Sequence, residues 1–283
     1  MWPFSRDPVV PVLRFHGAIG MATPLRPGLS ITTAAPAIER AFALSKLPAV
    51  AVSINSPGGS PVQSSLIFKR VRQLAEEKRK KVHVFCEDVA ASGGYYLAAM
   101  GDEIWADTSS IIGSIGVISA TFGLDKAIER IGVERRVYTS GMAKGSLDPF
   151  RPENADDIAR LKAIQRDIHD VFIGVIKDRR AGKLKGPDDE LFSGAFWSAP
   201  RALEFGLIDG VGDMRARMRE LYGDKVRLKP VPLGSPGLLG RLRRGGSSGL
   251  SGFAVPALPD LAALPDDLIS ALEARALWAR FGL

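Results

Sequence analysis

The sequence predicts an α/β layered fold, with a mostly parallel sheet and flanking helices. Two observations lead there. The runs Val9 to Phe15, Ala49 to Ile54 and Val82 to Cys86 are short, apolar and nearly continuous, as strands covered on both faces are. Between them lie segments with helical spacing rather than tight turns, which is the pattern of parallel strands joined by crossovers. At 283 residues and 46% hydrophobic content, the chain can bury one large core or two modest ones.

Taken in order, Val9 to Phe15 is β-branched and apolar, a first strand. Thr33 to Lys46 carries Ala37, Ile38, Ala41, Phe42 and Leu44 at helical spacing. Ala49 to Ile54 is the second strand, broken by Pro57-Gly58-Gly59. Ser60 can cap a helix with Pro61 at its first position; it runs through Leu66, Val71 and Leu74. The cations of Lys78 to Lys81 close it, where they suit the negative end of the dipole. After the strand Val82 to Cys86, Ser92-Gly93-Gly94 opens a short apolar helix to Met100. Glu103 to Ala106, Ile115 to Ser119 and Val133 to Thr139 read as further strands, with a helix over Leu124 to Ile131. Ala155 to Arg180 is a long helix, Ala199 to Phe205 a short one stopped by Gly206, and Asp213 to Tyr222 another. Gly234 to Gly252 is rich in Gly, Ser and Pro, as linkers are. Pro265-Asp266-Asp267 starts a last helix through Phe281, with acidic residues in its first turn. The expected organisation is an extension over 1–8, a main domain over 9–233, a flexible linker over 234–265 and a C-terminal helix over 266–283.

Composition excludes several function classes. Net charge is +7, but the basic residues are spread along the chain, so no nucleic-acid partner is expected. The single cysteine, Cys86, permits no internal disulfide and sits in an apolar run, where it reads as a small buried hydrophobe. No cofactor and no metal are expected. The start, Met1 to Pro8, has no apolar core of a signal peptide. The uncharged stretch Thr108 to Leu124 falls short of the roughly 20 apolar residues of a spanning helix. The expected location is cytoplasmic, or peripheral at the inner face of the membrane through the C-terminal tail.

Four segments carry chemistry. Ser92 follows a strand and the small-residue turn Val89-Ala90-Ala91, and it stands at a helix N-terminus, where free N–H groups can hold a developing oxyanion. It can equally be an ordinary N-cap, and the local sequence does not separate the two. Asn55-Ser56-Pro57-Gly58-Gly59 also joins a strand to a helix, as an anion-binding turn or a plain βα connection. A nucleophilic serine needs a base. The histidines are His16, His83 and His169; His83 lies within a strand, His169 within a long polar helix, and His16 is poorly placed. Lysine serves when its amine is neutral, and Lys144, in Ser140-Gly141-Met142-Ala143-Lys144-Gly145 with few charges around it, is the best placed; its bland reading is a surface-loop lysine. Ser114, in Gly113-Ser114-Ile115-Gly116-Val117-Ile118, could orient such an amine or simply make a tight turn.

In this order and spacing the four segments resemble the S49 Ser–Lys peptidases of the signal peptide peptidase A type, which have the ClpP/crotonase-like fold. The resemblance extends over Val9 to Gly212. It implies a serine peptidase acting on apolar or signal-peptide-like peptides. Ser92 falls on the nucleophile and Lys144 on the base, Ser114 on the serine that holds the lysine, and Gly59 and Gly93 on the oxyanion hole. It also implies a homo-oligomeric ring in which one subunit gives the serine and its neighbour the lysine. Family members usually carry an N-terminal membrane anchor, and this sequence reads without one. They often carry Asp-Gly-Arg before a Trp-x-Gly; here the segment is Phe192-Ser193-Gly194-Ala195-Phe196-Trp197-Ser198. A ClpP-like site with a histidine base would need a histidine soon after the nucleophile, and none lies between His83 and His169. A crotonase-type acyl-CoA enzyme would use the Gly59 and Gly93 amides but leave Ser92 and Lys144 idle. A ring-forming scaffold without turnover is the non-enzymatic alternative.

Overall fold

The computed structural model describes residues 7–21, 28–141, 143–233, 272 and 275–283. In chain order the elements are β1 (Val9–His16), α1 (Ile31–Leu44), β2 (Ala49–Ser56), α2 (Pro61–Lys78), β3 (Lys81–Ala91), α3 (Gly93–Ala98), β4 (Glu103–Ala106), β5 (Ile111–Gly113), α4 (Asp125–Arg130), α5 (Ala155–Arg179), α6 (Asp188–Leu191), β6 (Phe196–Ser198), α7 (Ala199–Glu204), β7 (Gly210–Val211), α8 (Met214–Tyr222) and β8 (Arg227–Pro230). The strands form one sheet in the order β6-β5-β3-β2-β1-β8, with β4 beside β3 and β7 beside β4. Every pairing is parallel except β5 with β6.

Alternate residues of each central strand enter opposite layers, which is why the strands read as unbroken apolar runs. Val50, Val52 and Ile54 meet Ile38 and Phe42 of α1 and Ile67 and Val71 of α2 on one face. Ala51 joins Val10, Val12 and Phe85 under Met218 of α8 on the other. The helices start where their caps dictate. Ser30 and Thr33 form a capping box for α1, and the Ser60 hydroxyl accepts from Gln63 N–H at the start of α2, with Pro61 at its first position.

β3 is longer than its apolar run predicts, because it serves two neighbours. His83–Cys86 register with β4, and Val89–Ala91 with β5. Exposed Glu87 and Asp88 separate the halves, where the register with β2 shifts between Ile54 and Ser56. The second half leads to Ser92. Tyr95, fully buried, fixes α3 by donating to Leu207 O at 2.7 Å.

A buried ion pair locks the end of α5 to the sheet. Arg180 is 2% exposed; it donates to Asp209 at 2.7 Å and to Gly206 O at 2.9 and 2.7 Å. Asp209 also accepts from Lys183 and from Ile104 N–H. Burial pushes the Asp209 carboxyl up, but these hydrogen bonds and the adjacent Arg180 charge outweigh it and hold it below its ordinary value.

Two predicted strands are not strands. Ile115 to Ser119 and Val133 to Thr139 pair with no described strand. Ile115 O is taken by His169 Nε2 at 3.0 Å, and the second run is almost wholly exposed. A β-branched pattern makes a strand only where a neighbouring edge supplies the ladder. No described residue from 116 to 171 is buried.

The linker expected over 234–265 and the start of the tail helix lie outside the described residues. The end of the chain is helical over 275–279 and packs on its own sheet: Phe281, 8% exposed, meets Val89 and Ala91, with Ile111 and Trp278 alongside. No helix among the described residues is long and apolar enough to cross a membrane.

Candidate active site

The Ser92 turn is built by three elements. β3 delivers the chain, β5 fixes it through Ser92 N–H to Gly113 O at 2.8 Å, and α3 leaves from it, with Tyr96 N–H bonded to Ser92 O. The price is a backbone at φ 53, ψ −124, a conformation that L-residues avoid and that costs about 1–3 kcal/mol. Ser92 stands at the N-cap position of α3, yet its hydroxyl caps nothing. Ser60, Asn154 and Asp213, at the corresponding positions of α2, α5 and α8, bond their helices, whereas Ser198 at the start of α7 does not. The bond that a plain N-cap reading of Ser92 calls for is not made, and its half-buried hydroxyl stays uncommitted among the described residues.

The turn over Gly58 and Gly59 lies directly against it. A Cβ on Gly58, at φ 108, would come within 2.7 Å of Ser92 Cβ and 3.0 Å of Gly93 N. A Cβ on Gly93 would sit 2.6 Å from Ser64 Oγ and 3.4 Å from Gly59 N. The α-carbons are bare because two backbones touch here. Among the described residues the Gly59 and Gly93 N–H groups take no part in the backbone bonds that close these turns, and the Ser92 hydroxyl has no partner, so two donors lie near an uncommitted hydroxyl. Beside them opens a groove of about 420 Å³, with Ser92, Gly59 and Gly93 at its floor. Val62 and Leu66 of α2, Tyr96 of α3, and Val171 and Phe172 of α5 wall it. Ser64, buried and donating to Ser60 O, and these apolar walls were not singled out from sequence. Their signal was the second apolar stripe on α2, Val62 and Leu66, outside the stripe of Ile67, Val71 and Leu74 that packs on the sheet.

Ser114 is buried, at φ 52, with its N–H on Ala195 O at 2.6 Å. It directly follows the Gly113 carbonyl that holds Ser92. Lys144 is elsewhere. It lies in an exposed turn over 143–147, its N–H bonded to Gly141 O, and its amine makes no ion pair or hydrogen bond among the described residues. Lys144 does not line the Ser92 groove, and Ser92 Oγ and Lys144 Nζ are not bonded to each other. The structure therefore brings Ser92, Gly59 and Gly93 together and leaves Lys144 on an arm with no buried residue.

Comparison with known proteins now decides the family. The pattern described as Peptidase family S49 matches residues 74–226, from the C-terminal end of α2 to the start of β8. The Synechocystis protein named "Putative protease slr0021" is 32% identical over 265 residues, which is 90% of each chain. The chain belongs to peptidase family S49. A Brucella abortus protein named Na(+)/H(+) antiporter NhaA is 56% identical over 275 residues, 97% of this chain but 37% of that protein, so the chain spans little more than a third of its length. Protease 4 of Haemophilus influenzae is 31% identical over 182 residues, 64% of this chain and 29% of that one. The parallel sheet with flanking helices is accordingly the ClpP/crotonase-like fold.

Within this S49 chain, the three histidines and the cysteine are engaged elsewhere, while Lys69 of α2 lines the Ser92 groove. His16 Nε2 bonds Ser53 Oγ at 2.8 Å, and His83 lies buried between Glu103 and Tyr222. His169 Nε2 is occupied by Ile115 O. Cys86 is buried, which pushes its thiol up to about 12, so no thiolate forms near neutrality. The segment Phe192 to Ser198 supplies β6, which registers with β5 beside the Ser92 turn. Its role in this S49 chain is therefore to complete the sheet.

Proposed function

We propose that this chain is a serine peptidase that cuts apolar or signal-peptide-like peptides with a Ser92–Lys144 dyad. One observation carries the reading: a strained serine whose hydroxyl is not a cap, next to two free glycine amides, at the floor of an apolar groove. Ser92 Oγ attacks the scissile carbonyl carbon as its proton passes to the Lys144 amine. The oxyanion is received by the Gly59 and Gly93 N–H groups. Collapse breaks the C–N bond, the lysine returns the proton to the departing amine, and water then frees the acyl group from Ser92 by the same steps. Ser114, whose hydroxyl has no partner among the described residues, accepts a hydrogen bond from the lysine and aims it.

Lys144 reaches this site from a neighbouring protomer of a homo-oligomeric ring. In support, the arm that carries it buries no described residue of its own chain, although Phe122 is 81% and Tyr138 90% exposed on it. Head-to-tail contacts that close into a ring would complete every site but leave a lone chain inactive. The same reading puts the protein in the cytoplasm or at the inner membrane face, which cell fractionation checks.

The test is a peptide digest with wild type, Ser92→Ala and Lys144→Ala, separately and mixed. Each variant alone should be inactive, and mixing should restore part of the activity, because some interfaces pair the intact halves. Activity in Ser92→Ala ends the peptidase reading. No recovery after confirmed subunit exchange ends the shared site.

A further inference from the structure

The geometry points to Phe281, with Trp278 beside it, as a positioning residue for Ser92, and we propose that docking of the chain's C-terminal end sets the conformation of the nucleophile. This rests on the reading of Ser92 as the nucleophile. A serine at φ 53, ψ −124 stays there only if its surroundings over-determine it. On the groove side, the Gly58 turn presses on Ser92 Cβ and Gly113 O holds its N–H. The layer beneath is thin. β5 and β6 are three residues each; β3 meets β5 only through Val89–Ala91, and β6 pairs with β5 alone. One face of this small sheet is covered by the main core, through Ala90, Ile112 and Trp197. The opposite face, Val89, Ala91 and Ile111, is covered by Phe281 and Trp278.

Phe281 bears on both outer strands of that layer, β3 and β6. It packs on Val89 and Ala91, and Ala91 directly precedes Ser92. Its ring meets that of Phe196 on β6 edge-on, 5.0 Å between centroids at 69°. Phe196 registers with Gly113, the residue that holds Ser92 N–H, and its neighbour Ala195 holds Ser114 N–H. A single ring thus bears on the backbone of both site serines from the side away from substrate. Without it, Val89 and Ala91 lose their main cover and Phe196, already 43% exposed, loses its ring partner, and the layer can relax towards an unstrained Ser92. The groove walls on α2 and α5 lie on the other side and are untouched, so the loss should fall on turnover rather than on binding.

The experiment compares full-length wild type, Phe281→Ala, Phe281→Leu and Ser92→Ala. It reads kcat and KM on an apolar peptide, the rate of fluorophosphonate labelling, and the thermal midpoint. Phe281→Ala should lower kcat and labelling together by roughly 10- to 100-fold, the scale for a displaced reacting group, with KM within about twofold. Phe281→Leu, which refills the space with an apolar side chain, should recover most of the loss. If Phe281→Ala is folded and its kcat per folded molecule equals wild type, the proposal is overturned. Should Phe281→Ala not fold, Trp278→Leu takes its place with the same expected split, and an unchanged kcat there overturns it equally. Activity or labelling that survives in Ser92→Ala removes the nucleophile reading itself. A dead Ser92→Ala beside a normal Phe281→Ala removes only the positioning role.

Discussion

The end of β3 and the arm from 116 to 171 are near neighbours in sequence and opposites in structure. Around Ser92 nearly every residue is buried, and the backbone is held by β5, α3 and the Gly58 turn together. Along the arm no described residue is buried, and its bonds are mostly to itself: Leu124 N–H to Pro149 O, Arg135 to Asp148, and Arg135 over the Phe150 ring. A chain can hold a strained conformation only where packing is dense. It can leave large apolar side chains in water only at a cost that a partner would remove. Under the proposed shared site, the first region would be one half of the site and the second the half that a neighbour's surface receives.

The largest effects should separate those halves by activity while leaving the fold alone. Ser92→Ala should cut kcat by on the order of 10^4-fold or more, with thermal midpoint and assembly unchanged. Lys144→Arg should fail as badly, since a guanidinium does not give up its proton at working pH. A lysine base works only as the free amine, so the wild-type rate should rise with pH to a plateau; a rate flat from pH 6 to 9 would count against it.

Next come stability effects, confined to the dense region. Asp209→Asn leaves Arg180 buried and uncompensated, which should destabilise the chain by about 3–5 kcal/mol in chemical denaturation. The sign with pH follows from the lowered Asp209 carboxyl. Its contribution is full above the ordinary carboxylate range and is lost as pH falls through the lower folded value. Wild type should therefore lose stability on acidification more steeply than Asp209→Asn, and parallel curves would break the assignment. Ser92→Gly should move the other way. It removes the penalty at φ 53 and so should gain about 1 kcal/mol while losing all turnover. A loss of stability there would mean that the turn is not strained.

The contrast between the regions also marks how far sequence could be read. Ser60-Pro61, the break at Pro57 to Gly59 and the Ser92-Gly93-Gly94 start of α3 are set by local chemistry, and they stand where that chemistry puts them. β6 and β7, with two or three residues each, carry too few side chains for any period to show. The second half of β3 was hidden by Glu87 and Asp88, which sit at the register shift. Val133 to Thr139 has the composition of a strand, but pairing needs an edge that its own chain does not supply. Gly59, Gly93 and Ser92 could be assembled from motifs. That the Ser92 hydroxyl is not a cap could not, because capping depends on one φ/ψ pair that no residue identity reveals.

The smallest effect on the chain should be the most telling about the arm. Tyr138 is 90% exposed and makes no ring contact among the described residues. Tyr138→Ser should thus change the stability of an isolated chain by no more than about 0.5 kcal/mol, the scale for a free surface position. A tyrosine covered in an assembly is different, because its ring contributes area at low entropy cost and commonly anchors an interface. If the arm lies on a neighbour, the same substitution should weaken self-association by about tenfold or more, read by analytical ultracentrifugation across a concentration series. Activity should then fall at low protein concentration and return at high concentration, since the groove and Ser92 are intact. A variant that assembles like wild type and keeps its activity on dilution would show that this part of the arm faces solvent in the working enzyme. The incoming lysine would then have to be carried by another surface of the same segment, with Phe122 the next residue to test.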